Sequence, residues 1–379
     1  MYDSIETAVG PETPARQGFV QSALRTARDA SGLWPDSEPV DLSVIDGIEG
    51  LELAKAEYLA AEAVNERYDR YDSHEEYIRS ITRIGRADSS GLEVGRSGDP
   101  NSKLWVVWYN GTGQGLDGRS AIWGDYLAEY TKLLGMTDED GKDAQIFIVP
   151  APSYNSKLGY GLLGQMPKGA SDSHVEHVVN GLFEIGNDQF KPIQPSEIMS
   201  AGGSLGGIFA LQTHHLLNGK VELLPFVSVH PSGVEAQRRN QILGHLNMSS
   251  GNMGQRMLES KIAPLVVEQK RNKGPLALAR SIGSKLAHPY LQGRFWTLDA
   301  SRSVPELLEK ISKGQNPEGV LAVSGIDQVC SPWCIPSLFE EGQYSELVVV
   351  DTESEHDLFG AYQKVAATIG RAARLGDAV

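Results

Sequence analysis

Short apolar runs alternate with helical stretches from about residue 76 to the end of the chain, and this alternation constrains the fold more than any other feature. A continuous apolar run such as 104–109 is typical of a strand that is buried on both faces of a sheet. Strands that alternate with helices form βαβ units, whose strands are parallel. The sequence therefore predicts an α/β fold with a mostly parallel central sheet and helices on both faces. The predicted strands are 76–85, 92–97, 104–109, 145–152, a run that begins at 196, 222–233, 321–325 and 346–351, and the predicted helices of this part are 121–135, 174–190, 208–217 and 357–375.

Two regions stand outside this alternation. The first 75 residues are predicted to be mainly helical, and this extension either packs on the core or mediates homodimer contacts. Residues 234–293 contain no convincing buried strand and carry 9 Lys/Arg against 3 Glu, a net charge of +6. This basic segment suggests that the substrate is anionic or that the segment docks on the acidic body. The predicted organisation is an extension (1–75) with helices at 17–29 and 51–68, a core (76–233 and 294–379) and an insertion (234–293).

Composition excludes several classes of function. The formal net charge is −15, so the chain as a whole repels phosphates and is not expected to bind nucleic acid. No apolar run approaches the roughly 18 residues of a membrane span, and no secretory leader is visible, so we expect a cytoplasmic protein. The two cysteines, Cys330 and Cys334, do not form a disulfide framework and have no further Cys or His nearby to complete a metal site. No metal or organic cofactor is expected.

Residues 202–207 read GGSLGG and match the pattern Gly-x-Ser-x-Gly, with Ser204 at the centre. In a nucleophile elbow, the serine occupies a sharp strand-to-helix turn, and glycines avoid clashes with the neighbouring strand and helix. An apolar run precedes this segment and a helical stretch follows it. We therefore predict that Ser204 is a nucleophile. A phosphate-binding turn, or a tight turn without chemistry, is the alternative.

A serine nucleophile needs a base, and His356 is the candidate. It follows the last predicted strand, in a loop at the C-terminal edge of the sheet, which is the edge that the elbow also faces. His174 and His177 precede Ser204 and are predicted to lie on a helix surface, and the pair at 214–215 lies too far along the next helix. The alternative is that His356 is a solvated loop residue among acidic neighbours.

Asp327 is the candidate acid that orients the base. It lies two residues after Gly325, at the end of a predicted strand, where a buried carboxylate would hold the imidazole and stabilise the imidazolium. Side chains adjacent to His356 in the chain point away from it, which disfavours Glu355 and Asp357 as the acid. The rival carboxylates are Asp299, Asp351, Glu355 and Asp357.

Acyl transfer also needs backbone N–H groups that bind an oxyanion. One is expected from Leu205, the residue after the nucleophile, where the helix N-terminus favours negative charge. The other is expected from the glycine-rich loop after strand 104–109, at Gly111 or Thr112. The alternative for this loop is a flexible turn.

Together these residues resemble the α/β-hydrolase superfamily over roughly 76–379. The resemblance rests on NGTG after the third strand, GGSLGG at the elbow, SGIDQVCSP after the seventh strand and SEHD after the eighth. Where the family often has His-Gly after the third strand, this chain has Asn110, which leaves the second donor open between Gly111 and Thr112. The resemblance implies that the insertion 234–293 is a cap that covers the site.

The resemblance implies a serine hydrolase that cleaves an ester, thioester or amide in a small acyl substrate through an acyl-enzyme on Ser204. An acyltransferase that uses the same triad is a second interpretation. A ligand-binding protein that has kept the fold and lost the chemistry is a third, and it is disfavoured because all three triad positions are filled.

Overall fold

The computed structural model describes residues 48–111, 115–151, 170–186, 194–229, 319–323, 347–351, 368–370 and 372–373. The helices are α1 (Ile48–Tyr68), α2 (His74–Ile81), α3 (Gly118–Leu133), α4 (Ala170–Gly186) and α5 (Leu205–Leu217). The strands are β1 (Arg83–Arg86), β2 (Glu93–Gly98), β3 (Leu104–Tyr109), β4 (Gln145–Val149), β5 (Glu197–Gly203), β6 (Glu222–Leu223), β7 (Phe226–Val229), β8 (Gly319–Val323) and β9 (Leu347–Asp351). Residues 368–370 and 372–373 are helical, within the helix predicted over 357–375.

The strands form a single sheet in the order β1-β2-β4-β3-β5-β7-β8-β9, with β6 paired to β5. Strand β2 is antiparallel to β1 and β4, and every other pairing in the sheet is parallel. Parallel strands must be joined by crossovers, which is why helices occupy the faces of the sheet. The mostly parallel α/β fold predicted from the sequence is confirmed.

Strand β3 lies in the middle of the sheet and is buried along its whole length. Successive side chains of a strand point to opposite faces, so Trp105 and Val107 join the cluster that contains residues of α4 and α5. Val106 and Trp108 join the cluster on the other face, with residues of α1 and α3. Both faces are therefore covered by helices, as the unbroken apolar run predicted.

Helix α1 is part of this core, and its extent agrees with the helix predicted over 51–68. Ala60 and Val64 are fully buried in the cluster that contains α3 and the sheet. At its last turn, Arg67 forms ion pairs with Asp125 and Glu129 of α3. The helix therefore packs directly on the core. The helix predicted over 17–29 lies outside the described residues.

The strand predicted over 76–85 is wrong in its first half, where the chain forms α2. Ser73 caps this helix, because its hydroxyl accepts a hydrogen bond from the Glu76 N–H at 3.2 Å. Glu75 and Glu76 in the first turn also favour a helix N-terminus. Only the end of the predicted run forms a strand, in β1 (Arg83–Arg86), which extends one residue beyond it. The capping residue outweighs the apolar side chains that suggested a strand.

The strand predicted over 222–233 is interrupted. The structure has the two-residue β6, then Leu224 and Pro225, and then β7. Proline has no N–H to donate to a neighbouring strand, so it is confined to the ends and edges of sheet pairings. Its position explains why β6 and β7 are separate strands that both pair with β5.

Candidate active site

Ser204 lies on a turn between β5 and α5, at the C-terminal end of a buried strand. Its backbone angles are φ 56° and ψ −122°, and it is the only non-glycine residue with a positive φ in the described part of the chain. A side chain is strained in this region of backbone space, and such strain is concentrated at functional sites. The predicted strand–turn–helix segment is therefore present, with the serine at its sharpest point.

Two glycines of the motif are required by close backbone contacts. A Cβ atom on Gly202 would lie 2.2 Å from the Gly206 carbonyl oxygen. A Cβ atom on Gly206 would lie 2.0 Å from the carbonyl oxygen of Tyr109, the last residue of β3. Both distances are far below van der Waals contact, so any side chain would force α5 away from the sheet.

The backbone around Ser204 is fixed by hydrogen bonds. The Ser204 N–H donates to the Val229 carbonyl at 2.8 Å, which ties the turn to the end of β7. The Ser204 carbonyl accepts from the Gly207 N–H at 3.0 Å, in the first turn of α5. Leu205, the expected first oxyanion donor, is the first residue of α5 and is buried. The N-terminus of this helix favours negative charge beside the serine.

Gly111, one of the two candidates for the second oxyanion donor, lies against the serine. A Cβ atom on Gly111 would be 3.2 Å from the Ser204 Cβ and 3.0 Å from the Gly203 carbonyl oxygen. The chain that leaves β3 therefore passes so close to the elbow that a side chain at position 111 would press on Ser204. Thr112, the other candidate, lies outside the described residues.

Asp327 and His356 also lie outside the described residues, although the strands that precede them are described. Strand β8 ends at Val323 and β9 ends at Asp351, and these two residues are register partners. Both strands run parallel to β7, so their C-terminal ends open on the same edge of the sheet as Ser204.

The prediction that His174 lies on a helix surface is wrong, because its side chain is buried and packs on Phe209 of α5 with ring centroids 4.7 Å apart. Burial lowers the pKa of His174 to about 3. The sequence signal was its spacing, since Val178 and Leu182 follow at intervals of four and share the buried stripe of α4. His177 is half-buried, and burial lowers its pKa as well.

Asn110 forms a side-chain hydrogen-bond network beside the site, a role that the sequence alone did not indicate. Asn110 is buried, and its amide Nδ2 donates to the Ser120 hydroxyl at 3.1 Å and, more weakly, to the Gly115 carbonyl at 3.4 Å. Ser120 in turn donates to the Gly115 carbonyl at 2.6 Å. A serine in a first helical turn gives little indication of such a role, because the contact depends on how the loop folds back.

Neither a metal-binding cluster nor a membrane-spanning helix is found in the described part of the chain. Within these residues no group of three or more His, Cys, Asp or Glu side chains is arranged to hold a metal ion. Among the helices described, none is both long and apolar enough to cross a membrane.

Comparison with known proteins gives structural similarity only. No protein-family model matches the sequence, and no curated protein matches it. A bacterial membrane phospholipase A is 14% identical with a TM-score of 0.47, and the match covers 94% of this chain and 97% of that protein. The thioesterase domain of the curacin biosynthetic pathway is 10% identical with a TM-score of 0.45, over 76% of this chain and 98% of the domain. An esterase from Exiguobacterium antarcticum is 14% identical with a TM-score of 0.42, over 78% of this chain and all of the esterase.

Similarity this distant is too weak to transfer a substrate or a reaction to this chain. The fold itself rests on the sheet order, the pairing directions and the elbow. The mostly parallel sheet, the helices on both faces and the strand–serine–helix turn are what the resemblance predicted, and the fold is consistent with the α/β-hydrolase superfamily, with no subfamily identified.

Proposed function

We propose that this chain is a serine hydrolase that cleaves an ester, thioester or amide of a small acyl substrate through an acyl-enzyme on Ser204. The observation that carries the proposal is the strained backbone of Ser204, held between β5 and α5, with Gly111 so close that a Cβ atom there would lie 3.2 Å from the Ser204 Cβ. In a turn without chemistry, glycine at this position would relieve the strain, and the chain has glycine just before the serine, at 203, and two residues after it, at 206, but not at 204 itself.

Strand order supports His356 as base and Asp327 as its orienting acid. Asp327 comes four residues after the end of β8, and His356 comes five residues after the end of β9. Both segments leave the sheet at the edge where Ser204 lies, in the chain order Ser, Asp, His. Three side chains from different strand ends can then converge on one substrate.

In the proposed reaction, His356 accepts the Ser204 proton as the serine oxygen attacks the substrate carbonyl carbon. The negative charge that develops on the carbonyl oxygen is bound by the Leu205 N–H and by an N–H of Gly111 or Thr112. The tetrahedral intermediate collapses when His356 gives its proton to the leaving alcohol, thiol or amine. Water, deprotonated by His356, then attacks the acyl carbon, and the bond to the serine oxygen breaks as His356 returns the proton to Ser204 and the carboxylic acid is released.

The segment 234–293 is proposed to cap the site and select the acyl group. It lies outside the described residues, between β7 and β8 in the chain. Both strands end at the edge of the sheet where Ser204 lies. Because β8 begins at the opposite edge of the sheet, the support comes from β7 alone: a segment inserted after β7 starts beside the nucleophile, which is where a cap is required to start.

The test is a panel of p-nitrophenyl esters of increasing acyl length, assayed with wild type, Ser204→Ala and Ser200→Ala. Ser200 is a matched control, because it is a buried serine of the same strand whose hydroxyl donates to the Ala210 carbonyl. We expect Ser204→Ala to lose at least about a thousandfold in kcat, while Ser200→Ala retains activity. Equal activity in wild type and Ser204→Ala would refute the proposal.

A further inference from the structure

The loop that follows β3 must hold its backbone rigidly if it is to supply an oxyanion donor. Preorganised donors are effective because they need no reorganisation when charge develops. Glycine-rich backbone is intrinsically free, and 111–115 contains Gly111, Gly113 and Gly115. An oxyanion donor from this loop therefore requires contacts outside the glycines.

Asn110 supplies such contacts at the start of the loop. Its backbone N–H donates to the Val149 carbonyl at 2.9 Å, which fixes it to the end of β4. Its side-chain amide reaches across the loop to Ser120 and Gly115. The Asn110 side chain is therefore tied both to the end of the loop and to the first turn of α3.

The position of Ser120 is fixed because the N-terminus of α3 is capped and the helix packs in the core. Asp117 caps this helix, and its carboxylate accepts from the Ser120 N–H at 3.3 Å and the Arg119 N–H at 3.0 Å. The next turn of α3 contributes Ile122 and Trp123 to the buried cluster. The Ser120 hydroxyl bridges Asn110 and Gly115, so one hydroxyl holds both ends of the loop.

We propose, on the basis of the proposed function, that Asn110 is a positioning residue for the oxyanion hole. Its amide, held by Ser120 and Gly115, fixes the two ends of the loop, Asn110 and Gly115, and so keeps the backbone at Gly111 close to Ser204. The role acts through the loop and not through contact with substrate. The positioning role requires a side chain that donates hydrogen bonds, because the Ser120 hydroxyl and the Gly115 carbonyl both accept from the amide.

Asn110→Asp tests this role, since it keeps the shape of the side chain and removes both amide N–H donors. Because an oxyanion forms only in the transition state, we expect kcat to fall about 10- to 100-fold with KM within about twofold. Affinity for a trifluoromethyl ketone transition-state analogue should fall by a similar factor. Asn101→Asp, the same change at an exposed amide, should leave these values as in wild type.

A second variant, Ser120→Ala, removes the bridging hydroxyl and should lower kcat and analogue affinity in the same direction. The double variant should lose less than the sum of the two single losses in free energy, because both changes break one network. Wild-type kcat and analogue affinity in a folded Asn110→Asp would overturn the proposal. An equal loss of substrate and analogue binding would also overturn it, because that pattern indicates a structural role alone.

Failure of the proposed function is distinguishable from failure of this inference. Labelling of wild type by a fluorophosphonate at Ser204 tests the proposed function first. If Ser204 reacts and Asn110→Asp has no effect, only the positioning role is refuted. If Ser204 does not react, the proposed function fails and this inference fails with it.

Discussion

Replacing Ser204 by glycine should make the protein more stable than replacing it by alanine. Both variants lose the hydroxyl, so its own hydrogen bonds cancel in the comparison. Alanine keeps a Cβ atom at φ 56° and ψ −122°, and the strain of such a conformation is about 1–3 kcal/mol. Glycine relieves the strain but loses about 0.5–1 kcal/mol through its greater freedom in the unfolded chain. A net advantage of about 1 kcal/mol for glycine remains.

Ser200 provides the reference that isolates the strain. It is buried in the same strand, and its φ is not positive. At this position glycine should be less stable than alanine, as in any ordinary strand. At each position, the free energy of unfolding of the alanine variant is subtracted from that of the glycine variant. This difference should be larger at Ser204 than at Ser200 by about 1–3 kcal/mol, which is the strain itself.

The assay is urea unfolding of the four variants, followed by far-UV circular dichroism at pH 8 and 25 °C. Shifts in the midpoint at constant slope report the difference in the free energy of unfolding. If the two positions give the same glycine-minus-alanine difference, Ser204 stores no strain. Strain would then not mark Ser204 as the functional serine.

Three further predictions follow from the contacts of the described residues. Gly206→Ala should lower kcat/KM by about 100-fold, because its Cβ would lie 2.0 Å from the Tyr109 carbonyl oxygen and α5 must shift by about 1 Å to clear it. His174→Leu should lose less stability than wild type between pH 8 and pH 4.5. The folded pKa of His174 is about 3 against about 6.5 unfolded, so stability present above pH 6.5 is lost as the pH falls toward 3, by about 2–3 kcal/mol at pH 4.5. Arg67→Met should lower the free energy of unfolding by about 2–3 kcal/mol, because it removes the opposite charge beside the buried Asp125 carboxylate, which keeps the hydrogen bond from the Tyr77 hydroxyl.

Controls separate these predictions from general damage. Gly219→Ala places a Cβ at φ 74° with open space around it, so it should lower stability by about 1–2 kcal/mol and leave kcat/KM unchanged. If Gly206→Ala behaves in the same way, the close approach of α5 to β3 does not control the site. Parallel stability–pH curves for His174→Leu and wild type would contradict the burial argument. For Arg67→Met, unchanged urea midpoints would show that the ion pairs contribute nothing to the docking of α1.

Continuous apolar runs made the fold predictable. Strands such as β3 are buried on both faces, so every residue is apolar and the run is visible without knowledge of its neighbours. The elbow was predictable because a sharp strand-to-helix turn requires small residues at fixed spacing. Gly202 and Gly206 meet that requirement through contacts of 2.2 and 2.0 Å with backbone oxygens.

Features set by tertiary contact were harder to predict. Residues 76–81 look like a strand by composition, and the Ser73 cap turns them into a helix. His174 is polar in isolation, and only its place on the buried stripe of α4 shows that it is enclosed. The side-chain network of Asn110 joins residues ten positions apart through a folded loop, and no local pattern indicates it.

The most direct test of the account is reaction of the purified protein with a fluorophosphonate, followed by intact mass and peptide mapping. The account predicts one adduct, on Ser204, in wild type and in Ser200→Ala, and none in Ser204→Ala. An adduct on another residue, or an unlabelled wild type that still hydrolyses esters, would contradict the assignment of Ser204 as the nucleophile.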